Sequence, residues 1–188
     1  MTGRSFLRPG PVGMSALLLM LTWTGPIARV ASAQDPLFAG LAVTHERSAS
    51  EAPDFTLRTP EGGTLALSGL RGRVVFLNFW ATWCAPCRIE MPEMERLHRE
   101  FKDRGLLILA VDLDESPKLV AKFMQEFRLS FPALLDSDSR VASRYRLQGL
   151  PTTILIDRQG RTVGRAVGPR EWAGPEGRAL IRSLLAAR

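Results

Sequence analysis

The sequence predicts an α/β sandwich built on a mixed central sheet. Three observations carry that prediction. Val74 to Trp80 is a continuous apolar run broken only by Asn78, which suits a strand buried on both faces. Leu106 to Val111 is a second buried strand, and a helical pattern lies between the two. Thr152–Ile156 and Thr162–Val167 flank an Arg158-Gln159-Gly160 turn, the pattern of an antiparallel hairpin. Strand, helix, strand, helix, then hairpin and helix give a sandwich whose sheet is mixed.

Composition sets the bounds. The chain has 188 residues, 45% hydrophobic and 23% charged. These are ordinary globular values for one domain plus a modest extension, and they exclude a disordered chain or a multi-span membrane protein. Two cysteines are too few for a disulfide scaffold, a Cys₄ zinc site or a cysteine-ligated iron–sulfur cluster. The formal charge of +6 and pI near 10.3 resemble a nucleic-acid signal. However, the basic residues are nearly all Arg and are scattered among acids. Arg88/Glu90, Arg96/Glu93 and Arg99/Glu95 sit at helical spacings or close to them and read as a solvated, salt-bridged face. No basic block exists to bind a nucleic acid.

Residues 1–33 stand apart from the fold. Arg4 and Arg8 open the chain, and no acid precedes Asp35. An apolar run from Val12 to Trp23 follows, Gly25 and Pro26 break it, and Ala31-Ser32-Ala33 ends it. Basic start, short apolar core and A-x-A end are the signature of a secretory signal peptide. The alternative is an uncleaved amino-terminal anchor, because the uncharged stretch between Arg8 and Arg29 reaches ~20 residues, just enough to span a bilayer. Cleavage after Ala33 leaves 22 basic and 19 acidic residues, a charge of +3. Half the apparent basicity therefore belongs to the export signal.

Residues 34–50 read as a linker or loosely docked lead-in, and 51–188 as the folded domain. Pro53–Leu57 and Thr64–Leu67 form an amino-terminal β-hairpin around Glu61-Gly62-Gly63. Pro86 to Phe101 is helical, with Met94, Leu97 and Phe101 on one face. Pro92 removes a backbone donor and is expected to kink this helix. Ser116 and Pro117 are the N-cap and first residue of another helix, whose apolar face is Leu119, Val120, Phe123, Met124 and Phe127. Phe131–Leu135 is a short strand, Val141–Tyr145 a short helix and Gly177–Ala187 the closing helix. Asp112, Asp114 and Glu115 end a strand and cap a helix. His98 is expected on the exposed helix face, and His45 in the lead-in.

Both cysteines fall in Trp83-Cys84-Ala85-Pro86-Cys87, a spacing that chance placement seldom gives. Cys84 follows the buried strand and sits at a helix amino terminus. There the dipole and the unpaired N–H groups favour the thiolate, the reactive form. Cys84 is thus the expected exposed nucleophile, and Cys87, one turn further in, the buried resolving thiol. Three chemistries fit the pair. A structural disulfide would stabilise little, because its loop is short. A metal site would need His45 or His98 as further ligands. A redox dithiol needs nothing more.

Asn78-Phe79-Trp80-Ala81-Thr82-Trp83-Cys84-Ala85-Pro86-Cys87 resembles the active-site segment of the thioredoxin superfamily. More narrowly, it is similar to the exported TlpA/ResA-type thiol–disulfide oxidoreductases. Gly149-Leu150-Pro151-Thr152-Thr153 resembles the cis-proline loop of that family. Pro92 falls where the family kinks its first helix, and Ser116–Leu135 resembles its helix-plus-strand insertion. The resemblance covers residues 51–188 and implies a thioredoxin-like three-layer α/β/α sandwich. It implies a cis peptide before Pro151 beside the cysteine pair, although Pro151 read alone also fits a proline that opens an edge strand. With Pro151 cis, the Leu150 backbone is placed to pair with an extended target segment, and Trp83 and Pro86 flank the same surface. Plain thioredoxin has an Asp where Asn78 stands, and Asn cannot titrate. Glu90, one turn beyond Cys87, matches a glutamate of the TlpA/ResA type. It is the expected proton shuttle with a raised pKa, the alternative being a solvated residue paired with an Arg.

The implied activity is reduction of disulfides in periplasmic targets such as apocytochrome c or copper-site assembly proteins. No metal or other cofactor is expected beyond the Cys84/Cys87 couple, and no nucleic acid. The implied electron donor is a membrane protein of the CcdA/DsbD type. Ala85-Pro86 lacks the His that stabilises the thiolate in strong oxidants, which argues for a reductant. The rival from another class is a copper chaperone or assembly factor that uses the dithiol as a metal clamp.

Overall fold

A computed structural model describes Thr2, residues 35–113 and residues 116–187. The expected export segment, residues 1–33, lies outside the described residues except for Thr2, as do Asp114 and Glu115. No helix among the described residues is long and apolar enough to cross a membrane.

Among the described residues eight strands form one sheet in the order β1-β8-β7-β4-β5-β6-β2-β3. They are β1 (Thr44–His45), β2 (Thr56–Arg58), β3 (Thr64–Ala66), β4 (Val74–Trp80), β5 (Leu106–Leu113), β6 (Ala133–Asp136), β7 (Thr152–Ile156) and β8 (Thr162–Val167). β4, β5 and β6 run parallel. β7 joins β4 antiparallel, and β8 joins β7 antiparallel. The β2–β3 hairpin attaches to β6 through a single bridge, Arg58 to Leu135. The sheet is therefore mixed, as the sequence predicts.

Among the described residues five α-helices accompany it: α1 (Pro36–Ala39), α2 (Ala85–Phe101), α3 (Pro117–Glu126), α4 (Arg140–Arg144) and α5 (Pro175–Ala186). Side chains alternate across β4. Val74, Phe76 and Trp80 share a core with Met91, Met94, Leu97 and Phe101 of α2, Phe123 of α3 and Leu180 and Ile181 of α5. Val75, Leu77 and Phe79 face the other way, onto Phe55, Leu67, Val141, Ala142 and Tyr145. Every residue of β4 is buried, which explains its unbroken apolar run.

Several expectations need correction. Within the expected linker or loosely docked lead-in of residues 34–50, residues 35–45 are firmly docked. Asp35 caps α1 by accepting from the Leu37 N–H at 3.0 Å. Phe38, Leu41 and Val43 are buried, and each such burial stabilises by ~1.5–3 kcal/mol. β1 extends the sheet by pairing with β8, His45 opposite Gly164. A Cβ on Gly164 would lie 2.9 Å from Phe38 Cε1, so the glycine lets the lead-in approach. His98 is 7% exposed rather than solvent-facing. The segment after α3 covers it, with the Phe131 ring edge-on at 5.9 Å, and burial pulls its pKa down. Leu119 is 53% exposed. Val120, Phe123, Met124 and Phe127 already fill the i, i+3, i+4, i+7 stripe, and Leu119 stands to one side of it. α2 continues through Pro92 as one helix, with Pro92 on its exposed face, where the helical hydrogen bond it cannot donate is lost without burying the residue. Arg96–Glu93 and Arg99–Glu95 do form ion pairs. Arg88 instead lies over the rings of Phe123 and Phe127, at 5.6 and 5.1 Å, and Glu90 turns inward.

Candidate active site

β4 delivers the chain to the site. After Trp80, a tight turn leads to Cys84, the N-cap of α2. Cys84 Sγ accepts from the Cys87 N–H at 3.3 Å. The sulfur thus occupies the position where a serine or aspartate usually caps a helix. Ala85 and Pro86 form the first turn of α2, a place that tolerates proline because the missing N–H has no helical acceptor there. Cys84 and Cys87 are joined in a disulfide, with S–S 2.04 Å and Cα–Cα 5.3 Å. In this oxidised state Cys84 is 4% exposed and Cys87 0%. The expected difference in exposure is therefore small here. Trp83 beside them is 71% exposed.

The loop before β7 reaches the same end of the sheet. Thr152 pairs with Phe79, so Pro151 falls level with Trp80, from which the chain turns toward Cys84. The Leu150–Pro151 bond is cis. Thr152 Oγ1 donates to the Gly149 carbonyl at 2.7 Å, and the Gly168 N–H donates to the Pro151 carbonyl at 2.8 Å. Pro151 is buried and Leu150 half-buried.

Glu90 lies one turn beyond Cys87 and is 1% exposed. Its Oε2 accepts from Asn78 Nδ2 at 3.2 Å. Its Oε1 accepts from the Arg170 N–H at 3.1 Å and from the Trp172 indole N–H. Asn78 Nδ2 also donates to Thr153 Oγ1 at 3.0 Å. Burial pushes the carboxyl up from 4.5 to about 7, against the opposing pull of the Trp172, Arg170 and Asn78 donors. A carboxyl poised near neutrality can take or give a proton at working pH. Asn78 supports this group without titrating.

Trp172, Arg170 and Thr153 complete the carboxyl's surroundings. Thr153 stood out in the sequence only as a strand residue, and the other two not at all. They lie 63 to 82 positions from Glu90 along the chain, and no local spacing signals such a contact. The histidines considered as metal ligands do not gather at the dithiol. His98 is eleven residues beyond Cys87 on α2, ~16 Å along a helix at 1.5 Å per residue. His45 stacks on Phe38 at the edge of the sheet, with centroids 4.1 Å apart.

The AhpC/TSA family model matches residues 49–163. Thiol-disulfide oxidoreductase ResA of Bacillus subtilis (strain 168) is 42% identical over 132 residues, which span 70% of this chain and 73% of the relative. The chain belongs to the AhpC/TSA family. The ResA of Bacillus anthracis is 41% identical over 118 residues, 63% of this chain and 68% of the relative. Among solved structures, a Chlorobium tepidum protein described as a putative thiol:disulfide interchange protein DsbE superposes with a TM-score of 0.68 at 33% identity. The match covers 73% of this chain and 97% of that one. This AhpC/TSA-family chain therefore has the thioredoxin-like α/β fold and is a ResA-like thiol–disulfide oxidoreductase carrying a Cys84–Cys87 pair.

Proposed function

We propose that this oxidoreductase works as an exported reductase of protein disulfides, with Cys84 as nucleophile, Cys87 as resolving thiol and Glu90 as proton carrier. The observation that supports this most is the near-neutral buried carboxyl one turn behind a dithiol at a helix amino terminus.

In the reduced enzyme, the Cys84 thiolate attacks one sulfur of a target disulfide. A mixed disulfide forms and the target's other sulfur leaves as a thiolate. The Cys87 thiol passes its proton to the Glu90 carboxylate, and the Cys87 thiolate then attacks Cys84 Sγ. The bond to the target breaks, the target leaves with two added electrons, and the Cys84–Cys87 disulfide closes. In re-reduction, a donor dithiol attacks Cys84 and protonated Glu90 returns its proton to the departing Cys87 sulfur. Leu150 offers its backbone to an extended target segment, while Trp83, Pro86 and Pro151 provide the apolar surround. The donor is of the CcdA/DsbD membrane type. Targets are periplasmic proteins such as apocytochrome c or copper-site assembly factors. Residues 1–33 direct export as a signal peptide or anchor.

Trapping tests this. Cys87→Ser cannot resolve the first adduct, so it should accumulate mixed disulfides through Cys84, identifiable by mass spectrometry. Cys84→Ser should trap none. Equal and empty yields from both variants would end the exchange mechanism as assigned. Stoichiometric copper retention without reductase activity would point instead to a metal clamp.

A further inference from the structure

The loop between β8 and α5 holds Glu90 through two donors, and one residue ties that loop elsewhere. The Arg170 main-chain N–H donates to Glu90 Oε1 at 3.1 Å. Its guanidinium donates to four carbonyls. Nε reaches Leu41 O at 2.6 Å and Nη2 reaches Ala42 O at 3.1 Å. Nη1 reaches Gly168 O at 3.1 Å and Pro169 O at 2.9 Å. Leu41 and Ala42 belong to the amino-terminal lead-in, between α1 and β1. Two of the four contacts fix the loop to itself, and two fix it to that lead-in.

We infer that Arg170 is a positioning residue that couples the seating of the amino-terminal lead-in to the proton affinity of Glu90. A planar fork with several donors sets the direction of a loop in a way a single point charge cannot. The lead-in is held over β8 by Phe38 and Val43 against Gly164. Whatever lifts it withdraws two acceptors from Arg170 and loosens the N–H aimed at Glu90. Both ends of the device, residues 35–45 and Arg170, lie outside the stretch matched by the family model.

The groups facing Glu90 leave Arg170 as the charged influence. Asn78 from β4 is neutral, Trp172 is a neutral donor and Cys87 on α2 is tied in the disulfide. Glu93, further along α2, is engaged by Arg96 and the Ala173 N–H. The Arg170 N–H and its positive charge both favour the ionised carboxylate. Weakening the tie therefore moves the Glu90 titration upward, as long as Trp172, 0% exposed, keeps water out.

The inference rests on Glu90 as the proton carrier of the proposed mechanism, but its test reads titration and not activity. Full-chain oxidised protein carrying ¹³C-labelled glutamate is titrated by NMR, with Glu90→Gln assigning the resonance. Arg170→Met should raise the Glu90 midpoint by about half a pH unit or more. Arg170→Lys, which keeps the charge but loses the fork, should raise it by less. Phe38→Ala, which loosens the lead-in without touching the loop, should also raise it. Val141→Ala, in the opposite core, should not. An unmoved or lowered midpoint in either Arg170→Met or Phe38→Ala overturns the coupling. A midpoint in Arg170→Lys equal to wild type overturns the role of the fork. Should Arg170→Met fail to fold, the Lys and Phe38→Ala variants decide alone. Shifted midpoints with unaltered thiol exchange would leave the coupling intact and refute the proton-carrier role.

Discussion

Replacing Glu90 by glutamine should make the protein more stable at alkaline pH and leave it little changed in acid. The carboxyl titrates near 7 in the folded chain and near 4.5 when free. Below about pH 4.5 both states hold the proton, and the group adds no pH dependence. Between 4.5 and 7 the unfolded chain releases its proton while the folded one keeps it, so stability falls as pH rises. At about 1.4 kcal/mol per unit of displacement, the accumulated loss is about 3 kcal/mol above pH 7. Glutamine carries no charge and escapes that loss. It keeps an acceptor for the Arg170 and Trp172 donors, but its amide nitrogen would face Asn78 Nδ2. Asn78 Oδ1 has no partner, so rotating the Asn78 amide restores a matched contact, with Thr153 Oγ1 donating in turn. Urea unfolding of the two oxidised proteins at about pH 4, 5.5 and 8 measures the difference, in which all other titrating groups cancel. A difference that stays flat across that range would refute the reasoning.

Two further outcomes are expected. Gly177→Ala puts a Cβ into the Trp172 carbonyl and main chain. It should cost about 1–3 kcal/mol in urea unfolding and displace Trp172 from Glu90, which the Trp172 indole N–H resonance would report. Trp83→Ala removes a ring that is 71% exposed. It should slow mixed-disulfide formation with protein targets while leaving Tm and reaction with a small aliphatic disulfide nearly unchanged. Equal slowing of both reactions would deny Trp83 a part in target contact.

How much of this could be read from the sequence depended on the range of the interactions. β4, β7 and β8 follow their apolar runs to the residue, because burial on one or both faces imposes its own pattern. The helix-starting residues Ser116, Pro117 and Pro86 act locally and sit where they are expected. β6 begins at Ala133 rather than Phe131, since Pro132 cannot donate to the ladder and Phe131 packs against His98 instead. The lead-in was not legible. Phe38, Leu41 and Val43 follow no single period, and α1 and β1 are too short to show one. His98 lies on a helix face that looks solvated until the Phe131 segment covers it, and Arg88, still exposed, finds the Phe123 and Phe127 rings only through tertiary folding. The cysteine pair and Glu90 were visible through spacing along one helix. Trp172 and Arg170, which set the environment of Glu90, reach it only through tertiary folding.

The two ends of the sheet carry a consequence for handling the protein. β1 is two residues long and β3 three, so neither margin offers a ladder on which a neighbouring copy could build. The segment best suited to cross-β stacking, Val-Val-Phe-Leu-Asn-Phe-Trp of β4, is paired on both sides by β5 and β7. Its aggregation hazard is confined to the unfolded chain. Edge-to-edge strand addition between native copies is therefore disfavoured, whereas refolding from denaturant should lose material in proportion to the time β4 spends uncovered.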